Sequence, residues 1–364
     1  MKQRSRKMGK YTSIGGQALI EGIMMKSPEK TALAVRVPDG SIDVSDFNGK
    51  SIREKHKILR LPIIRGIVGF AESMIQGYKA MMISADKSGF TDLEEEADKK
   101  KKTAEGTEPE AGSVDDISVE QTADAKPEKK ENSALVGVIM VIGSVLGVLL
   151  AIALFMYVPS YIADFFGWVF KIKNPDSPIF IVIEQIIKMA IFVGYVALVS
   201  LMKDIKRVFM YHGAEHKTIF CYEKGLELNV ENVRQQKRFH PRCGTSFMIL
   251  MITVSILISL AAVLIFPDVR DNKLIWTGVK ILLVPITCGV GFEVLRFCGK
   301  YDNWFTRVIS APGLWLQRIT TKEPDDGMIE VAIAALKACE PENPDVDRSI
   351  DKIEANGEET DDNI

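Results

Sequence analysis

The sequence predicts a mainly α-helical polytopic membrane protein with about four transmembrane helices, a small N-terminal α+β region and C-terminal helices. Three observations carry this expectation. The apolar residues come in blocks, and four blocks reach the ~20 residues a helix needs to cross a hydrocarbon layer of about 30 Å. Lys and Arg crowd into one of the loops between those blocks. Two further stretches, 91–132 and 357–364, hold almost nothing apolar to bury.

The N-terminal region, residues 1–88, opens basic and runs into Gly15-Gly16 with no apolar segment of the signal-peptide kind. Residues 32–37 and 41–44 read as two short strands around Pro38-Asp39-Gly40. The glycine-rich stretch 15–25 is expected to pack against that hairpin; no GxxxxGK[ST] follows it, so a phosphate loop is not expected. Residues 61–84 are apolar but broken by Arg65, Glu72 and Lys79 at seven-residue spacing, a polar stripe that suits a helix in the interface or against the bundle better than a span. Residues 89–133 form the charged linker, expected to be disordered.

The expected spans are 135–155 and 179–201, within region 134–203, and 247–266 and 274–297, within region 247–298. Glu184 and Lys188 in the second, and Lys280, Glu293 and Arg296 in the fourth, are costly in lipid and should pair, snorkel or face the bundle. The loop 204–246 and its flanks are rich in Lys and Arg, and the other two loops are poor in them. The positive-inside rule therefore places that loop and both termini in the cytoplasm, and an even number of spans agrees. Two helices follow in region 299–345: 310–319, with Trp315 suited to the headgroup layer, and 328–339, with acidic residues over its first turn as the helix dipole prefers. An acidic tail, 346–364, ends the chain. Five scattered cysteines without CxxC spacing read as reduced thiols. The net charge of -2 is diluted by the polar segments and is uninformative; no nucleic-acid partner is expected.

The chemistry is expected at His212-Gly213-Ala214-Glu215-His216, a stretch that uses two of only four histidines. Positions i, i+3 and i+4 share a helical face, so His212 and His216 can hold one divalent cation, with zinc the expected ion, while Glu215 polarises bound water as general base. The order H-x-x-E-H is that of the inverted zinc peptidases. A third protein ligand is needed, with the fourth position left to water. Three residues are candidates: Glu293, which lies 77 residues after His216 at an interval resembling the downstream glutamate of those peptidases, and His240 and Cys243 just before the third span. A Cys243 thiolate would favour zinc and a closed structural site. The bland alternative is that His212, Glu215 and His216 merely pair with Arg207, Lys217 or backbone.

Four motifs together resemble the YqhQ family of bacterial membrane proteins: the stretch 15–25 (GGQALIEGIMM), 211–217 (YHGAEHK), 240–246 (HPRCGTS) and 312–317 (PGLWLQ). The resemblance implies a multi-pass protein of the bacterial inner membrane, in a group sometimes labelled a predicted metal-dependent enzyme, and supplies no reaction. The expected function is metal-dependent hydrolysis of a peptide or lipid-linked substrate at the cytoplasmic membrane surface. The alternative is a noncatalytic membrane scaffold with a structural metal or a histidine hydrogen-bond cluster.

Overall fold

The computed structural model describes residues 8–12, 14–47, 52, 56–90, 142–143, 145–170, 178–240, 243–270, 272–342 and 350–354. Residues 91–133 of the expected disordered linker and the frayed tail 357–364 lie outside the described residues, as does the basic N-terminus 1–7.

Strand β1 (Met8–Tyr11) is followed by β2 (Gly15–Leu19), β3 (Gly22–Lys26), β4 (Thr31–Arg36) and β5 (Ile42–Asp46), the last four forming an antiparallel sheet in that order. The expected hairpin is β4–β5, with Ala34 opposite Val44 and Gly40 at φ 85 in the turn. The glycine-rich stretch adds a second hairpin, β2–β3, in which Gly16 faces Met25 and Glu21 takes φ 50 in the turn. A left-handed conformation is costly for a residue with a Cβ, and Glu21 is held there by its partners. Arg36 donates its backbone N–H to the Glu21 carbonyl, and the carboxylate receives Arg207 and, at 3.1 Å, the Tyr211 hydroxyl.

Helix α1 (Ile64–Lys87) lies against the bundle and the sheet, and the expected polar stripe is used. Arg65 pairs with Glu293, Glu72 accepts the Ile52 N–H at 2.6 Å, and Ala80 packs among Leu19, Leu33 and Val35. Met74, Ile75 and Tyr78 stay exposed along the outer face.

Four helices are long and apolar enough to cross a membrane: α2 (Val145–Val169), α3 (Pro178–Val199, its span Phe180–Val199), then, after α4 (Lys203–Glu223) and α5 (Val230–Arg234), α6 (Gly244–Ile265, span Phe247–Ile265) and α7 (Lys273–Lys300, span Lys273–Cys298). The first continues past its expected end at residue 155, and residues 135–141 and 144 of the expected span lie outside the described residues. The helix runs through Pro159 to Val169 because a π turn at Ala153–Tyr157 precedes the proline, and Asp164 is paired with Lys273 near the end of the bundle. Two of the charges inside the spans pair with each other: Glu184 and Lys280 meet at 2.6 Å with both side chains buried.

Two helices close the chain, α8 (Trp304–Thr320) after the short β6 (Tyr301–Asp302), and α9 (Asp326–Cys339). Helix α8 starts on an Asn303/Thr306 capping box and packs along α6, placing Leu316 with Phe192 and Ile249 while Trp304 and Trp315 point outward. Helix α9 starts with the Asp325 side chain accepting the Met328 N–H. Its Met328, Ile329, Val331, Ala332, Ala335 and Leu336 fill a core shared with β3, β4, α4 and α5. Burying one such aliphatic side chain fully is worth about 1.5–3 kcal/mol, so this stripe holds the extramembrane body together. The tail expected after residue 345 contributes β7 (Ile350–Glu354), which pairs antiparallel with β1.

Candidate metal centre

Helix α4 begins polar, but from Tyr211 through Ile219 every residue is buried, because the sheet, α9 and the chain after α8 enclose it. The approach depends on Gly213. A Cβ there would sit 2.0 Å from the Lys322 carbonyl oxygen, so only glycine lets the segment 320–324 cross α4 at this point. The Lys322 N–H donates to the Phe209 carbonyl at 2.8 Å and locks the crossing.

That crossing sets the histidine tautomers. His212 Nδ1 lies 2.8 Å from the Thr320 carbonyl oxygen and His216 Nδ1 lies 2.5 Å from the Arg238 carbonyl oxygen. A carbonyl only accepts, so each Nδ1 carries the proton and donates it, leaving the Nε2 lone pairs free on the shared helical face. The two rings stand 4.4 Å apart between centroids. Cys243, the residue capping α6, completes the group: its Sγ is 3.1 Å from His212 Nε2, and the three ligand atoms of His212, His216 and Cys243 all lie within 4.8 Å of one another. Bond lengths of about 2.0 Å to nitrogen and about 2.3 Å to sulfur put ligand atoms of tetrahedral zinc roughly 3.5 Å apart, so the spacing suits one ion.

Glu215 lies beside this triad. The Gly16 N–H donates to its carboxylate, and Gly16 is needed there, since a Cβ would come within 2.9 Å of Glu215 Cδ. Its other oxygen, Oε2, and His216 Nε2 are buried without a hydrogen-bond partner among the described residues. Unsatisfied buried polar atoms cost about 1–3 kcal/mol each, so two of them beside the triad fit a donor set able to take a metal ion.

Without a metal the His212–Cys243 contact is an ion pair, with a proton on His212 Nε2 facing the sulfur, and a metal ion would take the place of that proton. Burial opposes charge on His212, but the Cys243 sulfur and Glu215 outweigh it and raise the imidazole to about 9. Burial likewise opposes a Cys243 thiolate, yet His212 and His216 bring the thiol well below its ordinary value. The Thr245 N–H and hydroxyl, 3.4 and 3.1 Å from Sγ, reinforce a negative sulfur at the helix N-terminus. For Glu215, burial dominates and pushes the carboxyl up against the pull of both histidines.

The remaining candidates fall elsewhere. Glu293 is occupied by Arg65 Nε at 2.7 Å and by Arg65 Nη2, so the structure does not bring it into the ligand group. Its place on α7 puts it against α1, which sequence interval cannot reveal. His240 is adjacent, its ring 5.7 Å from that of His216, but its Nε2 faces Glu223 at 3.4 Å and its backbone exchanges two 2.8 Å hydrogen bonds with the Gln317 side chain. His240 and Gln317 thus pin the turn that delivers Cys243. The Thr320 and Arg238 carbonyls carry no signal in the sequence, because any residue supplies a carbonyl, and of these partners only Gly16 lies within one of the four motifs. Lys217, one of the bland partners for the histidines, instead reaches Glu323 and the Arg234 carbonyl.

The family described as "Protein of unknown function (DUF1385)" matches residues 61–342. The uncharacterized protein YqhQ of Bacillus subtilis (strain 168) is 33% identical over 322 residues, covering 88% of this chain and 89% of the relative. No solved structure matches. With the family match spanning all four membrane-compatible helices, α4, Cys243 and α8, the chain belongs to the DUF1385 family, with YqhQ among its relatives.

Proposed function

We propose that this protein is a metal-dependent hydrolase of the bacterial plasma membrane. In this reading zinc is held by His212, His216 and Cys243 at the junction of bundle and body, and a peptide or lipid-linked substrate is cleaved at the cytoplasmic surface. The observation that carries the reading is the pair of Nδ1–H donations to Thr320 and Arg238, which aim two imidazole lone pairs at the Cys243 sulfur. A bound divalent ion would bring the pKa of water toward about 7 and polarise a carbonyl or phosphoryl oxygen. Glu215 accepts the proton released by the attacking water and passes it to the leaving group. Gly16 and the packing of β2 hold that carboxylate in place, and burial raises its affinity for the proton it takes up. The Lys- and Arg-rich segment around α4 and α5 supports a cytoplasmic position for the site and for both termini.

A second reading, a closed structural site with Glu215 as fourth ligand, is favoured by burial: His212 is 8%, Glu215 5%, His216 1% and Cys243 6% exposed. Cobalt substitution separates the two. An open position predicts that a hydroxamate perturbs the visible spectrum of the cobalt protein and that Glu215→Gln keeps the metal while abolishing hydrolysis. A closed site predicts a spectrum indifferent to hydroxamate and a metal lost with Glu215→Gln. A detergent-purified protein without metal, matching a His212→Ala, His216→Ala double variant, sinks both.

A further inference from the structure

Helix α1 starts inside the bundle and not at its surface. A Cβ on Gly66 would lie 2.9 Å from Gly289 Cα and 2.8 Å from Phe292 Cβ, and Arg65 pairs with Glu293, all within the α7 span. One turn further along α1, the Phe70 ring stands 5.8 Å from that of Phe247, the first residue of the α6 span. Gly66 therefore lies about 5 Å inside the start of the α6 span, and Gly289 about 13 Å inside the end of the α7 span at Cys298, at 1.5 Å of rise per residue. Both depths fall short of the middle of a hydrocarbon layer about 30 Å thick. Later residues of α1 join the body: Gly77 meets Gln17 of β2, and Ala80 packs on Leu19 and Leu33. The chain before α1 makes the opposite journey. Ile52 donates its N–H to Glu72, and a 3-10 turn (Lys57–Arg60) then leads to Leu61-Pro62-Ile63, where the direction reverses. Cys243, which caps α6 just before Phe247, marks this as the side of the histidine cluster.

Two features of this hairpin fit lipid and not water. The first is the sorting of side chains. Gly66, Gly69, Gly77, Ala80 and Ser84 face the protein, while Met74, Ile75, Tyr78 and Met82 point outward. A surface helix in water buries its large apolar residues; small residues inward and large ones outward is the pattern of helices packed in lipid. At the apex Ile58, Leu61 and Ile63 are 67%, 51% and 40% exposed. The second feature is the backbone. The Leu61 N–H donates to the Ile58 carbonyl, Ile64 to Pro62, Arg65 to Leu61, and Gly66 and Ile67 to Ile63. The Ile63 N–H faces the Glu293 carboxylate at 3.4 Å, and Pro62 has no N–H to satisfy. Unpaired backbone groups are costly in hydrocarbon, and from Leu61 to Ile67 every N–H has an acceptor within the protein. Arg60, beside the apex, has the length to carry its guanidinium toward the headgroups.

We propose that residues 56–75 form a re-entrant hairpin that enters the leaflet on the side of the histidine cluster and returns, seating Ile58, Leu61 and Ile63 among lipid acyl chains. Its outward face continues the lipid-facing surface of the spans. Met74, Ile75 and Tyr78, two to three turns above Gly66, come to the headgroup layer, where a tyrosine is well placed. Glu293 holds the apex down through Arg65 and the Ile63 N–H.

The test measures depth in the full chain, reconstituted at one copy per phosphatidylcholine nanodisc. Spin labels are attached to Leu61→Cys, Ile75→Cys and, on the body, Lys30→Cys. Labelled wild type gives the background, since Cys298 is partly accessible and the other four cysteines are buried. Collision with oxygen, which concentrates in hydrocarbon, is compared with collision with a water-soluble nickel chelate. The oxygen-to-nickel ratio is expected to be highest at Leu61, intermediate at Ile75 and lowest at Lys30. Ile58→Cys, on the other arm of the hairpin, should also exceed Ile75→Cys and replaces Leu61→Cys if that variant does not fold. Equal ratios at Leu61 and Ile75 would mean a helix lying flat in the interface. A ratio at Leu61 as low as at Lys30 would mean a loop in water, and scarce collisions with both reagents a loop covered by protein. Each of these three outcomes overturns the proposal.

Discussion

Cys243 is the residue on which the site turns. Its sulfur caps α6 and at the same time touches His212 Nε2, so one side chain links the bundle to α4. If the triad holds a metal as proposed, Cys243→Ser is expected to lose it, while Glu293→Gln, which breaks the Arg65 pair, should keep it. Elemental analysis of the two purified variants decides between them, and metal retained by Cys243→Ser with loss in Glu293→Gln would reinstate Glu293 as a ligand.

The same contact has a pH signature in the metal-free protein. His212 is raised in the folded state, so its contribution is complete below the unfolded value of about 6.5 and disappears as pH climbs through about 9. Cys243 is lowered, so its contribution is present above the ordinary thiol range and is lost as pH falls through the depressed folded value. Thiolate absorbance, taken as wild type minus Cys243→Ser, should persist at neutral pH and move to alkaline values in His212→Ala. A difference signal titrating near 8.5, as an ordinary thiol does, in both proteins would refute the ion pair.

At the scale of elements, close backbone crossings position the chemistry. Gly213 admits the segment carrying the Thr320 carbonyl, and Gly16 admits Glu215 against β2. Gly213→Ala forces its Cβ onto the Lys322 carbonyl and should cost about 1–3 kcal/mol, the usual scale of overpacking. Thermal unfolding and metal content should fall together, since the His212 tautomer depends on the same crossing. Unchanged stability would mean that the segment moves aside without penalty. The crossing of α1 and α7 is built alike: a Cβ on Gly66 would lie 2.9 Å from Gly289 Cα, and a Cβ on Gly289 would lie 2.7 Å from the Ile63 carbonyl oxygen. Small residues let helices approach this closely where lipid offers no hydrophobic driving force. Ile63 takes φ 68 at that point, a strained conformation for a β-branched residue.

At the scale of the whole molecule, the four membrane-compatible helices return the chain to the side it started from, and β1 pairs with β7. Single cysteines introduced at Lys30, beside β4, and at Asn272, beside Lys273, should be labelled by impermeant maleimide from opposite faces of the membrane. Labelling of both from one face would contradict a four-span bundle with the body on one side.

Local sequence patterns establish the membrane class, the hairpin β4–β5 and the face shared by His212, Glu215 and His216, and the polar stripe of α1 favours a helix beside the spans over a fifth span. Each of these follows from local periodicity: a block of apolar residues, an alternating strand pair around Pro38-Asp39-Gly40, or the i, i+4 spacing of a helix. The extent of α2 was only partly legible, because Pro159 and Asp164 resemble an end until the π turn and Lys273 absorb them. Tertiary structure decided the third member of the triad. Cys243, His240 and Glu293 are equivalent candidates along the chain, and they separate only when Gln317 pins His240, Arg65 takes Glu293, and the start of α6 delivers the Cys243 sulfur to His212. Spacing along a helix fixes which side chains share a face, but the partner of that face comes from contacts between residues far apart in sequence.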